Sequence, residues 1–407
     1  MILEGEAYAY ALSRIKGIGP HLAVKILREF PNPDHLMHTS QTEIAAKLGQ
    51  ELTHTLDASL TTEWHRLWEM AQETMQRHVD RGIFPISLIN ESYPVLLKLI
   101  PDPPVILFIK GQTALLKKTD TVAVIGTRSS TERGRQVAYK VAQTFAQQDY
   151  TIVSGLAKGI DAVAHLAALD SHGSTIAVLG TSLDKIYPAE NKLLAERIID
   201  ASGILASEVA LGQPSFRSSF VQRDRIQSGL SLAVIPIQTD IDGGTMHTVR
   251  FAEGQRRLIF CPKPPDYDPE FRQSAGIIEL VRSGRAIGFT KDDYPMIFKE
   301  LSEHKVKLLS SRSGKPVTEK RIEDKVVQGA LALRSISAYP DLPLELRRFW
   351  PLETTYIPKE IRSVITAGWI KMSDSQKARL IESLATKTDP LETILLANQE
   401  ATKALLS

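Results

Sequence analysis

Thr121-Val122-Ala123-Val124-Ile125-Gly126-Thr127-Arg128-Ser129-Ser130 is the stretch on which the reading of this chain turns. Val122 to Ile125 are apolar or small residues in an unbroken row, which reads as a strand buried on both faces, and Gly126 ends it abruptly. Thr127, Arg128, Ser129, Ser130 and Thr131 then bring hydroxyls and one guanidinium to a turn, and a helix is expected over Glu132 to Gln147. Unpaired N–H groups at that helix start, the hydroxyls and the fixed charge would together receive an anion, the phosphate of a nucleotide or of a nucleic acid. A hydroxyl-rich cap can also close such a turn and bind nothing. Neither G-x-G-x-x-G nor G-x-x-x-x-G-K-[ST] occurs in the chain, which argues against a pyrophosphate held in either of those ways.

Outward from this turn, apolar strands and helices alternate from Thr121 to about Pro262. Strands are expected at 122–126, 151–154, 174–179, 204–207, 232–236 and 257–261, with helices between them. That order demands an α/β fold with a mostly parallel sheet covered by helices on both faces, and such sheets gather ligands at the carboxyl ends of their strands. Residues that follow strands are therefore the informative ones. Ser154 to Asp161 combines Gly155 and Gly159 with Lys158; Gly180 to Asp184 follows the third strand; Arg223 and Arg225 lie in the segment before the fifth; Gly243, Gly244 and Thr245 follow it. One rim would then carry Arg128, Lys158 and Arg223, with Arg217 or Arg225. Like charges brought together repel, so the cluster implies either a bound polyanion or neutralisation by Asp224, Asp240 and Asp242.

The first 80 or so residues have helical spacing. Within them, Ile15 to Leu27 resembles a helix-hairpin-helix: Gly17 and Gly19 permit a tight turn, Pro20 suits the start of the second helix, and Ala23 allows close packing. Such hairpins either touch a DNA phosphate or only pack, and Lys16, His21 and Lys25 are the local cations. Trp64, Trp68 and Met70, on a helix expected near 61–81, have the spacing of core residues. The prolines between Gly82 and Gly111 fix extended backbone between short apolar runs, which reads as edge strands added to the coming sheet. After Asp266 the pattern is mixed, with a charge-rich run at 291–320, an exposed loop at 310–316, and helices expected near 319–336, 357–367, 374–386 and 390–405. Gly368 to Lys371 faintly suggests a wing.

Length and composition set the bounds. At 407 residues the chain calls for two or three domains, and a net charge of +2 means that any affinity for DNA must come from local concentration of cations. The single cysteine, Cys261, excludes an intramolecular disulfide, and its apolar surroundings read as a buried structural thiol. No signal-peptide pattern and no bilayer-length apolar run occur, so a cytoplasmic protein without membrane contact is expected. Asp161 and His165 stand at i, i+4, a pair that lacks a third metal ligand and reads as hydrogen-bonded.

Five stretches carry a family resemblance: Tyr93 to Gly111, Val122 to Thr131, Ser154 to Leu169, Thr175 to Leu194, and Arg223 to Ser231. Their order, spacing and content resemble the DNA processing protein A family, also called DprA or Smf, over roughly the first two thirds of the chain. The resemblance implies an extended Rossmann-like domain (83–265) behind a small helical domain (1–82), with 266–407 as a mainly helical region that has no counterpart. It also implies a protein without catalytic turnover or cofactor that binds single-stranded DNA, forms homodimers and loads a RecA-type recombinase in natural transformation. The DNA contacts it implies are Arg128, Lys158, Arg223 and Arg225, within a site formed with Gly126, Thr127, Ser129, Gly155, Gly159, Gly243, Gly244 and Thr245. Two departures fall at this site. Asp224 stands where the family pattern F-P-x-R-N-R has an amide, and Asp242 to Thr248 replaces S-G-S-L-I-T-A. A rival reading is a nucleotide sensor, or an enzyme that processes nucleoside monophosphates, motivated by Gly243-Gly244-Thr245 with Glu208 or Glu253 as the acid.

Overall fold

The computed structural model describes residues 3–263 and 274–310. The chain divides into two compact units, residues 1–279 with 286–312 and residues 280–285 with 313–407. The helices expected beyond 318, the loop at 311–316 and the Gly368 to Lys371 segment lie outside the described residues.

The amino-terminal part is helical, as its apolar spacing predicts: α1 (Glu4–Leu12), α2 (Pro20–Glu29), α3 (Pro33–His38), α4 (Gln41–Leu48), α5 (Gln50–Thr62) and α6 (Trp64–Val79). Between α1 and α2, Gly17 takes a φ of 89°, a conformation open to glycine and strained for other residues. Pro20 is the first residue of α2, where its missing N–H costs nothing. Ile15, Ile18 and Ala23 are buried beneath the hairpin while Lys16 and His21 are exposed; Lys25 Nζ donates to the Leu48 carbonyl at 2.8 Å. The core stripe of α6 runs one step away from the expected one. Leu67, Ala71 and Met75 are buried, whereas Trp64, Trp68 and Met70 are half-buried and the two indoles pack on each other at 5.8 Å.

The helical part is fastened to the sheet in part by Glu6, whose Oε1 accepts from Asn90 Nδ2 at 2.7 Å, and in part by His78. Its ring stacks on Phe108 at 4.1 Å, its Nδ1 bonds the Thr74 carbonyl at 2.7 Å, and its Nε2 accepts the Leu211 N–H at 2.9 Å. An imidazole that accepts at Nε2 is neutral, and burial accordingly pulls the pKa of His78 below its ordinary value.

The sheet contains β1 (Phe84–Ser87), β2 (Ile106–Gly111), β3 (Thr121–Ile125), β4 (Thr151–Ser154), β5 (Thr175–Leu179), β6 (Ile204–Ser207), β7 (Ala233–Pro236), β8 (Leu258–Pro262) and β9 (Ile287–Phe289). The helices that join or flank these strands are α7 (Val95–Lys98), α8 (Glu132–Gln147), α9 (Ile160–Asp170), α10 (Lys192–Asp200), α11 (Arg217–Gly229), α12 (Thr245–Gly254), α13 (Ala275–Arg282) and α14 (Tyr294–Ser310). Strand order is β1-β2-β6-β5-β4-β3-β7-β8-β9. Strands β3 to β9 pair in parallel, and the proline-rich entry segment supplies antiparallel β1 and β2 at one edge. This is an α/β Rossmann-like architecture.

Every residue of β3, β4, β5, β6 and β7 is buried, as strands covered on both faces must be. Helix α8 lays Ala138, Val141, Ala142 and Phe145 onto the sheet. Strand β9 and helices α13 and α14 were not anticipated from sequence. Strand β9 adds Ile287 to Phe289 beside β8, and α14 returns across the sheet so that Ile297 and Leu301 are fully buried. Tyr294 and Phe298 of α14 meet Phe145 edge-on at 5.9 and 5.4 Å, a geometry that rings prefer to a face-to-face stack. Cys261 is buried and free, and burial raises its thiol pKa, which keeps it unreactive. No helix among the described residues is long and apolar enough to cross a membrane.

Candidate functional site

The chain runs from β3 outward through β4, β5 and β6 on one side, then returns to place β7 on the other. The loops after β3 and β7 therefore diverge and open a crevice at their carboxyl ends, where α/β sheets hold ligands. A cleft of about 880 Å³ occupies this point, large enough for a nucleotide. Gly126, Thr127, Arg128 and Ser129 line one wall; Thr239, Asp240, Gly243, Gly244 and Thr245 line the other.

Helix α11 closes the third side with Arg217, Phe220, Arg223, Asp224 and Gln227. Residues spaced by three and four fall on one helical face, which is why these positions converge. The same geometry excludes Arg225, because two residues turn a helix through about 200°. Arg225 lies on the opposite face, with Nε 3.2 Å from Asp102 and Nη2 2.8 Å from both oxygens of Glu208. Arg225, expected at the site, does not line the cleft and is ion-paired away from it.

The remaining cations also sort differently from the expected rim. Arg223 is buried; its Nη1 donates to the carbonyls of Gly155 (2.7 Å) and Val178, and its Nε to Asp224 Oδ1 at 3.1 Å. Lys158 is exposed and paired with Glu190, and it lines a small side pocket with Arg128, Gly155, Tyr187 and Phe220. Arg128 and Arg217 are exposed at the cleft mouth, and neither has an ion pair or hydrogen bond among the described residues. Gly159 is a packing residue: with φ of 78° it sits against the Thr127 and Arg128 carbonyls, and any side chain would strike that backbone. Gly155 is similarly confined, since a Cβ there would stand 2.5 Å from Arg223 Nη1.

Two of the donors expected after β3 are already engaged. Thr131 caps α8 by accepting from the Gly134 N–H at 3.0 Å, and its own N–H donates to Gln238 Oε1 at 3.0 Å. The start of α12 has no side-chain cap, and it is this start, through Gly243, Gly244 and Thr245, that borders the cleft. Its positive dipole end is the better-placed receptor for an anion.

Two carboxylates flank Arg223. Asp161 accepts from the Gly155 N–H at 3.1 Å, and burial raises its pKa despite Arg223 and the loop N–H groups. Asp224 is pushed up to about 6 by burial, with Arg223 opposing and Asp161 adding to the shift. Sequence reasoning named Asp224 as an internal neutraliser and missed Asp161, whose place at the first turn of α9 was the available signal. His165 bonds Thr175 Oγ1 at 2.7 Å and is driven down to about 3 by burial, so it does not pair with Asp161. No metal-ligand cluster of three occurs among the described residues. Neither Glu208, engaged with Arg225, nor Glu253, exposed on α12, lines the cleft.

The model of the family described as DNA recombination-mediator protein A matches residues 85–309, more than half of the chain. The chain belongs to this family. It is 31% identical over 330 residues to Protein Smf of Synechocystis, covering 80% of this chain and 77% of that protein. It is 33% identical to the DNA processing protein DprA of Bacillus subtilis, over 61% of this chain and 82% of the relative. The X-ray structure of DprA from Streptococcus pneumoniae superposes with a TM-score of 0.56 at 28% identity, covering 72% of this chain and 98% of that one. The family match spans both walls of the cleft as well as β9 and α14.

Proposed function

We propose that this protein binds single-stranded DNA at the strand-end cleft and acts in recombination without turnover, as a homodimer that helps load a RecA-type recombinase on incoming DNA in the cytoplasm. The observation that carries the reading is the pairing of two unengaged arginines, Arg128 and Arg217, with the uncapped start of α12 around one crevice. A flexible single strand can bend its phosphates toward such a mouth while a base enters between the walls, which a stiff duplex cannot do. Tyr187, more than half exposed, packs edge-on against Phe220 at 5.4 Å and offers a base an aromatic surface. In this reading Lys158 and Arg223 act from beneath, and 1–82, 83–265 and 266–407 are the three functional parts.

A salt titration tests the proposal. Binding of a labelled thymidine oligonucleotide, followed by anisotropy, should weaken with salt at a slope of about 0.7 per neutralised phosphate. Arg128→Glu should flatten that slope and lower affinity at least about tenfold, the scale of losing one charge-assisted contact and adding a repulsion. Binding that is absent at low ionic strength, or indifferent to salt, would overturn it.

A further inference from the structure

The arginines and aspartates that line the cleft balance in charge. Arg128, Arg217 and Arg223 stand with Asp161, Asp224 and Asp240, so a polyanion meets as many repulsive groups as attractive ones while all three carboxylates are ionised. Asp224 is the carboxylate best placed to lose its charge. Its side chain lines the cleft yet is only 14% exposed. Oδ1 accepts from Arg223 Nε and from Gln227 Nε2, both at 3.1 Å, whereas Oδ2 accepts no hydrogen bond among the described residues and is not sealed from solvent. Asp161, at the start of α9, repels the Asp224 carboxylate; Arg223 beside it and Arg128, from the turn after β3, attract it. Burial outweighs both arginines and lifts the carboxyl to about 6. The other ionisable groups of the cleft are held differently. Asp161 is enclosed and accepts the Gly155 N–H, Asp240 is exposed on the loop after β7, and His247 of α12 has its Nδ1 occupied by Arg250 Nη2 at 2.9 Å.

Arg128 carries the consequence. The guanidinium that would hold a strand phosphate is drawn toward Asp224 while that carboxylate is ionised, and the carboxylate also repels the phosphate through a partly desolvated site. One proton on Asp224 removes both effects and leaves the cleft positive. We infer that Asp224 sets the affinity of the cleft for single-stranded DNA through its own proton: strand binding takes up a proton there, and binding tightens on acidification. The inference rests on the proposed DNA-binding role and adds a residue to that site, one that opposes the ligand until it is neutralised.

Anisotropy of a labelled thymidine 15-mer, whose bases do not titrate in the range, tests it between pH 5 and pH 8 at fixed ionic strength. The native protein should bind about tenfold more tightly at pH 5 than at pH 8, the size of a one-unit rise in the pKa of Asp224 on binding. Asp224→Asn should bind across the range about as tightly as the native protein does at pH 5, varying by less than about twofold. His247→Gln, which removes the other titrating side chain near neutrality, should keep the tenfold change. Titration calorimetry in two buffers of different ionisation enthalpy reads the native protein without substitution, and should show about half a proton taken up per site at pH 6.5. Salt-dependent binding that is flat with pH, a pH dependence that survives Asp224→Asn or vanishes in His247→Gln, or the absence of proton uptake would overturn the inference and leave the DNA-binding role intact. Failure of the 15-mer to bind at any pH would overturn that role instead.

Discussion

Arg223 and Arg225 are two residues apart, both almost fully buried, and opposite in consequence. Arg223 faces the cleft, pinned by two carbonyls and Asp224, and holds together the ends of β4 and β5 beneath the binding wall. Arg225 faces the other way and ties α11 to Asp102 and Glu208 near the antiparallel edge. Charge alone does not mark a ligand site; the helical phase of the residue and what has already neutralised it decide. The free cations, Arg128 and Arg217, are by contrast exposed and contribute little to the fold.

The largest effect should come from breaking the structural side. Arg225→Ala leaves Asp102 and Glu208 without their partner and opens a cavity, and should cost about 3 kcal/mol in denaturant unfolding. That figure is at the lower end for buried pairs, because the two carboxylate side chains are 29% and 32% exposed and can rehydrate. DNA affinity per folded molecule should be unchanged; a selective loss of affinity would return Arg225 to the site.

Asp224 sharpens the comparison on the cleft side. Its carboxyl is raised from 3.8 to about 6 in the folded state, so the folded protein holds a proton that the unfolded chain releases. The stability from that proton is complete below about pH 3.8 and is lost as pH rises through about 6. Asp224→Asn should therefore match the native protein near pH 4 and exceed it by about 1 kcal/mol at pH 7.5. The full linkage value is larger, but the amide loses the attraction of Arg223. Equal stability of the two proteins across this range would show that Asp224 is not strained by burial.

The smallest effect belongs to the mouth. Arg217→Ala should leave the denaturation midpoint unmoved and reduce the salt slope for single-stranded DNA by about 0.7, one phosphate's share. An unchanged slope would remove Arg217 from the interface.

Much of the fold was legible because the parallel strands are short apolar runs closed by glycine or a polar turn. The helix after Thr131 begins and ends at the residues its cap and spacing indicate. Strand β9 escaped because three residues carry no alternation, and α14 because its exposed face is charge-rich while only Ile297 and Leu301 are fully buried. At the site, the turn after β3 was readable as a wall of the cleft, but not the engagement of its donors, since Gln238 is more than 100 positions from Thr131. Lys158 and Arg223 were legible as cations near strand ends. Their partners, Glu190 for Lys158 and the Gly155 and Val178 carbonyls for Arg223, become neighbours only in the folded chain.

The single proton on the His78 imidazole ties the integrity of the two amino-terminal parts together under acid. Charging the ring would turn the acceptor facing Leu211 into a second donor and press two N–H groups together over the face of Phe108. Because the folded pKa is held below the ordinary 6.5, stability from this joint is present above that value and drains away as pH falls through the lowered one. Acidification should thus weaken this joint, and a His78 ring resonance titrating at the ordinary value in the folded protein would contradict that coupling.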